Sequence, residues 1–166
     1  MKSCKAILLM GSKSDMPHAE KIAERLNQFG VPHIFRIASA HKTPLQVLDI
    51  IREAENSGQD IVFITIAGLS NALSGMVDWA TRFPVIACPP PPTAFAGADI
   101  YSSLQMPPGV APAVILEPLN AAIFTAKIFS LNNPDITQAI MQYHEDQQAK
   151  LLSDDAESKQ KHHESN

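Results

Sequence analysis

The chain has 166 residues, enough for one domain with a buried core, and a formal net charge of −4. That balance offers no basic field to nucleic acid and no cationic amphipathic segment to a membrane surface. Two cysteines, Cys4 and Cys88, make neither a disulfide framework nor a zinc spacing, which suits a reduced cytoplasm.

The first apolar run, residues 5–10, reads as a buried strand ending in Gly11-Ser12-Lys13-Ser14-Asp15. The run is too short for a signal-peptide core, and no later segment reaches a membrane-spanning length. From Met16 a helix is expected, with Met16, Ala19, Ile22, Ala23, Leu26 and Phe29 on one stripe and Gly30 as its stop. The second strand covers 33–38. The next helix opens at Thr43-Pro44-Leu45-Gln46, with Thr43 as cap and Gln46 completing a capping box. Its expected stripe is Leu45, Leu48, Ile51 and Ala54, and Gly58 ends it. The third strand, 61–67, is almost wholly apolar and so should be buried on both faces. A helix over about 71–81, a strand at 84–88, a Pro- and Gly-rich stretch at 89–111 with one helical turn near 98–104, and a strand at 112–116 follow. Two helices close the chain, "PLNAAIFTAKIFSL" as a buried one and "DITQAIMQYHEDQQAKLL" as an outer one.

Strands alternating with helices imply an α/β fold, a central parallel sheet with helices on both faces. Ligands in such folds bind beyond the carboxyl ends of the strands, where the winding reverses. That rule selects three loops, 11–15, 39–44 and 68–75. Loop one lacks the glycines of a Walker or dinucleotide loop, so its hydroxyls and carboxylate must work beside its amides. Ser14 or Asp15 also serves as a helix cap on this reading. Loop two places His41 between a strand tip and a helix start, where an imidazole can transfer protons near neutral pH. Taken alone, His41 fits a structural histidine and Lys42 an ordinary surface lysine; together they suit an anionic ligand. Loop three, "AGLSNALSG", combines glycines for close backbone approach with Ser70 and Asn71 as hydrogen-bonding groups. A helix-capping turn accounts for it nearly as well. His18, His33, His144, His162 and His163 are poorer candidates, and no spacing suggests a metal site.

Charge is uneven. Between Pro84 and Asn133 only Asp99, Glu117 and Lys127 are charged. Deep burial within the chain or burial between subunits would each explain this, and the second is favoured because a chain of this size has limited interior. Residues 1–152 are read as a single domain, and 153–166 as a charged, disordered tail.

Taken together, "GSKSD", "SAHKTP", "AGLSNALSG", "PVIACPPPP", "GADIYSSLQMPPGV" and "NAAIFTAKIFSL" resemble the PurE family of purine biosynthesis, in order over about residues 5–150. The resemblance implies a three-layer αβα sandwich of flavodoxin-like type, with the C-terminal helix packing on a neighbouring subunit. It implies a homo-oligomer, an octamer or else a tetramer, and a cytoplasmic enzyme with no cofactor and no metal. Lys42 and Ala72-Leu73-Ser74-Gly75 resemble the class that joins carbon dioxide to aminoimidazole ribonucleotide. The mutase class, which starts from the N-carboxylated ribonucleotide, has Arg and a His-Leu-Pro-Gly run at these places. Leu69 departs from the carboxylase class, which carries Arg there, and leaves an inactive paralogue as another reading. A non-catalytic flavodoxin-like nucleotide-binding module is the alternative of a different kind. Carried over by resemblance, His41 is the proton carrier. Ser12, Ser14 and Asp15 hold the ribose and phosphate, Ser39 and Lys42 contact polar groups, and Gly68, Ser70 and Asn71 line the base and carboxylate end.

Overall fold

The computed structural model describes residues 3–163. Five parallel strands, β1 (Cys4–Met10), β2 (His33–Ile37), β3 (Asp60–Ile66), β4 (Val85–Ala87) and β5 (Ala113–Val114), form one sheet in the order β2-β1-β3-β4-β5. The helices are α1 (Met16–Gln28), α2 (Pro44–Glu55), α3 (Ala72–Ala80), the single turn α4 (Tyr101–Leu104), α5 (Pro118–Ser130) and α6 (Pro134–His163). This is the expected α/β sandwich with helices on both faces. No described helix is long and apolar enough to cross a membrane.

Period-two alternation sorts the strand residues between two cores. Ala6, Leu8 and Met10 of β1 and Val62, Ile64 and Ile66 of β3 face α1, α5 and the start of α6. Ile7 and Leu9 with Ile61 and Phe63 face α2 and α3. The two central strands are therefore apolar at nearly every position, as β3 predicts from its sequence. β2 is an edge strand, and Ile34, Phe35 and Ile37 stay partly exposed on it. On α1 the predicted stripe is buried, with Met16 packed at its margin. Gly30, at φ 66°, takes the left-handed turn after α1 that a side chain would strain.

Three expectations need correction. The buried stripe of α2 is Val47, Ile50, Ile51 and Ala54, while Leu45 is 72% exposed. Leu45 lies two residues before Val47, about 200° round the helix, so it points away from the sheet. Thr43 makes no side-chain cap to α2 and no capping box forms, because its hydroxyl is bound to loop two. The helix α6 continues to His163 instead of giving way to disorder near Ser153. No Gly or Pro interrupts 135–163, and Lys159 Nζ reaches Asp155 Oδ2 at 2.6 Å with the acidic partner one turn nearer the N-terminus. Residues 164–166 of the expected tail lie outside the described residues. Among the described side chains of α6, those of its first turns pack on the chain, through Ile136, Ile140 and Tyr143, whose ring meets Phe29 edge-on at 5.5 Å.

The charge-poor half is not hidden inside the chain. Phe95 is 89%, Tyr101 69% and Leu131 81% exposed.

Candidate active site

The strand order reverses its winding between β1 and β3. At their carboxyl ends, loop one leaves toward α1 and loop three toward α3 on the opposite face. Gly11 N–H donates to Ile66 O at 2.9 Å, which holds loop one against the tip of β3. A Cβ on Gly11 would come to 3.4 Å of Ala67 Cβ, in van der Waals contact, so the two loops lie close together here.

Loop one is a tight cap. Ser12 N–H donates to Asp15 Oδ2 at 3.0 Å, and Ser14 N–H donates to Ser12 Oγ at 3.0 Å. The two hydroxyls are 2.6 Å apart. Residues 13–15 form a 3-10 turn that leads into α1, so the capping residue is Ser12. Burial raises the Asp15 carboxyl above its ordinary range, and the Ser12 amide partly offsets that rise.

Loop two is closed by Thr43. Its Oγ1 accepts the Ser39 N–H at 2.9 Å, and its N–H donates to Ser39 O at 2.8 Å. Ser39 Oγ accepts the Lys42 N–H at 3.3 Å. The loop thus spends its own polar groups on its shape and presents Ala40, His41 and Lys42 outward. The side chains of His41 and Lys42 are exposed and have no hydrogen-bond or ion-pair partner among the described residues.

Loop three is fastened from behind. Asn71 is 4% exposed. Its Oδ1 accepts the Ser74 N–H at 3.1 Å as the cap of α3, and its Nδ2 donates to Ser103 Oγ at 2.9 Å on α4. Its N–H donates to Ser102 Oγ at 3.0 Å. Leu69, between Gly68 and Ser70, has φ 59°, a left-handed conformation that costs a non-glycine residue about 1 kcal/mol, and its side chain is 64% exposed.

The three loops line one cavity of about 600 Å³. Ser12, Ser14 and Asp15 come from loop one, Ser39, His41 and Lys42 from loop two, and Gly68, Leu69 and Ser70 from loop three. Of the predicted site residues only Asn71 does not line it, because its amide is used up in the buried network with Ser74 and Ser103. Four residues from a segment that sequence reasoning did not bring to the site also line it: Pro90, Pro91, Thr93 and Asp99. The signal for Asp99 was present, since it is one of three charges in a fifty-residue stretch that otherwise has none.

The chain matches the AIR carboxylase family over residues 5–150. It belongs to that family. It is 52% identical over 153 residues to a phosphoribosylaminoimidazole carboxylase of Treponema denticola, covering 92% of this chain and 96% of that protein. A phosphoribosylaminoimidazole carboxylase of Archaeoglobus fulgidus is 50% identical, with 92% of this chain and 84% of that one covered. The crystal structure of Treponema denticola PurE superposes with a TM-score of 0.90 at 51% identity, over 93% of this chain and 98% of that one.

In this member of the AIR carboxylase family a histidine stands behind the cavity wall. His18 Nε2 is 3.4 Å from Cys88 Sγ, and Cys88 precedes the prolines that line the cavity. Burial pushes the Cys88 thiol up to about 12, with Glu117 adding to the effect. Burial also lowers the pKa of His18, aided by Lys21 and opposed by Glu117 and the Cys88 backbone. A histidine whose folded pKa is lowered binds its proton more readily in the unfolded chain. Its contribution to stability is present above the unfolded value, about 6.5, and is lost as pH falls below it. His18→Gln is expected to flatten the fall in stability between neutral and mildly acid pH, read from urea midpoints; an unchanged pH slope would show that His18 does not carry it.

Proposed function

We propose that this chain carboxylates aminoimidazole ribonucleotide with carbon dioxide, reversibly, to give carboxyaminoimidazole ribonucleotide, with His41 as the proton carrier. Membership of a family whose named relatives are phosphoribosylaminoimidazole carboxylases supports the reaction. The observation that carries the site is the meeting of three sequence-distant loops, with an unpartnered histidine, around one cavity at the β1/β3 reversal.

The chemistry fits the residue types. The aminoimidazole ring is an electron-rich enamine. Its C4 pair forms the new bond to the carbon of carbon dioxide, whose π pair moves to oxygen and leaves a carboxylate. C4 then bears both a hydrogen and the carboxylate, and the ring is positively charged. Neutral His41 removes the C4 proton, the C–H pair restores the aromatic ring, and the imidazolium returns the proton in reverse. The chain supplies orientation and a partly apolar pocket for an uncharged gas, with Ala67, Leu73, Pro90 and Pro91 as its apolar walls. In this reading Ser12, Ser14 and Asp15 hold the ribose and phosphate, and Ser39 and Lys42 contact polar groups. Gly68 and Ser70 line the base end, and Asn71 acts from behind by holding loop three. The carboxylase domain spans residues 1–152.

The test needs no ATP. Purified protein is given aminoimidazole ribonucleotide with bicarbonate and carbonic anhydrase, and in parallel the N-carboxylated ribonucleotide. Product is expected from the first mixture; product from the second, faster than spontaneous decarboxylation could feed the first route, would make the chain a mutase. His41→Asn is expected to lower turnover by about 10²–10⁴-fold with product binding largely kept. A loss of binding as large as the loss of rate would contradict a proton-transfer role.

The assembly is read as a homo-octamer in the cytoplasm. Support comes from the apolar side chains left bare on the charge-poor half, Phe95, Tyr101 and Leu131 among them, from the exposed length of α6, and from two free cysteines. Sedimentation equilibrium is expected to return the mass of eight chains. Four would call for a smaller ring, and one would leave those surfaces unexplained.

A further inference from the structure

Thr65 interrupts the apolar run of β3, and it is fully buried. Strand alternation places it with Ile61 and Phe63 on the face toward α2 and α3. It does not line the cavity. Its hydroxyl donates to Ile86 O of β4 at 3.2 Å and lies 2.8 Å from Ser74 Oγ on α3. Ser74 is fully buried too. From there the bonds run to Asn71, whose Nδ2 is 2.8 Å from Ser74 Oγ and 2.9 Å from Ser103 Oγ. A buried hydroxyl in an apolar strand is costly unless it is bonded, and Val would fill the same space without one.

One assignment of protons satisfies every link from Asn71 to Ile86. Asn71 Oδ1 accepts the Ser74 N–H at 3.1 Å, and that backbone donor fixes which end of the carboxamide is oxygen. Nδ2 therefore donates to Ser74 Oγ and to Ser103 Oγ. With the Thr65 proton on Ile86 O, the Ser74 proton goes to Thr65 Oγ1. Two hydroxyls thus tie the Asn71 side chain to the sheet. Without the Thr65 hydroxyl, the Ser74 proton turns to Asn71 Oδ1, 3.0 Å away, and the tie is lost.

The backbone beside Asn71 needs holding. Leu69, at φ 59°, is in a conformation that persists only where the surroundings impose it. Asn71 N–H donates to Ser102 Oγ at 3.0 Å, and the same oxygen is 2.9 Å from Leu69 O. Leu69 and Ser70 line the cavity, so the seat of Asn71 sets where they stand.

We propose that Thr65 is a positioning residue for the carboxylation: its hydroxyl acts through Ser74 and Asn71 to hold loop three, and with it Ser70, in the geometry that seats the substrate ring against His41. This rests on the proposed function and adds to it a residue that no ligand touches. Loop one, which holds phosphate and ribose on that reading, lies outside this chain of bonds. Loss of the hydroxyl therefore displaces the ring more than it loosens the ribonucleotide, and the effect falls on kcat more than on KM.

The test sets Thr65→Val, which keeps the shape and removes the hydroxyl, against Thr65→Ser, which keeps the hydroxyl and removes the methyl, both in the full-length protein. Thr65→Val is expected to lower kcat about 10-fold, with KM for aminoimidazole ribonucleotide within about threefold of wild type. Thr65→Ser is expected to keep kcat within about threefold, even where its Tm is lower. Amide hydrogen exchange gives a readout without substrate. Residues 69–74 are expected to exchange faster in Thr65→Val than in Thr65→Ser, with loops one and two unchanged. Where Thr65→Val does not fold, Ser74→Ala breaks the same chain of bonds and is expected to show the same fall in kcat. A wild-type kcat in either variant that lacks its hydroxyl, or an equal fall in Thr65→Val and Thr65→Ser, would overturn the proposal and leave Thr65 a packing residue. Unchanged exchange at residues 69–74 would overturn it whatever the activity. No turnover by wild type would instead sink the proposed function, and a role in that reaction with it.

Discussion

Gly11 N–H and Ile66 O meet at 2.9 Å where the sheet reverses its winding, and the site depends on that stitch. Strands β1 and β3 pair in parallel along their whole length, from Cys4 beside Asp60 to Met10 beside Ile66. Their ends are therefore level, yet the chain leaves them on opposite faces. The loops must diverge, and the space between them is a crevice that backbone alone cannot fill. Apolar side chains on both faces of these two strands anchor the crevice to the rigid centre of the molecule.

Each loop then secures its own shape. In loop one Asp15 and Ser12 close on one another, in loop two Thr43 closes on Ser39, and in loop three Asn71 closes on Ser74 and Ser103. These bonds fix the backbone before any ligand arrives, which is how a site on loops gains the precision of a scaffold. The groups left over, His41, Lys42 and Ser70, face the cavity for use. Asn71 sits within a polar motif, yet its side chain is spent on Ser74 and Ser103 and holds loop three from behind the cavity.

Much of this was legible in the chain. The strands were visible because fully buried parallel strands are continuous apolar runs, and α1 because its stripe has a clean helical period. The α2 stripe was misplaced because Leu45 fits the period of one face while tertiary packing selects another. Thr43 was misread because a cap and a loop closure ask for the same residue type. The contribution of Pro90, Pro91 and Thr93 was hidden, and Asp99 was marked only by its isolated charge. That segment has no period, and its path back over β4 to the cavity is a long-range outcome. Phe95 at φ 50° and Ala96 at φ 55° lie in this segment, and no sequence rule places such residues in a left-handed turn. The end of α6 was misjudged because polar composition reads alike in a solvated helix and in a disordered tail.

The central claim is that one ribonucleotide spans all three loops with its reacting carbon at His41. A crystal structure of the protein soaked with carboxyaminoimidazole ribonucleotide tests it most directly. The account predicts the ligand inside the cavity, with phosphate and ribose toward Ser12–Asp15, ring toward Ser70, and a His41 ring nitrogen within direct or single-water reach of C4. Electron density for the ligand elsewhere, or in this cavity with His41 turned out of that reach, would contradict it.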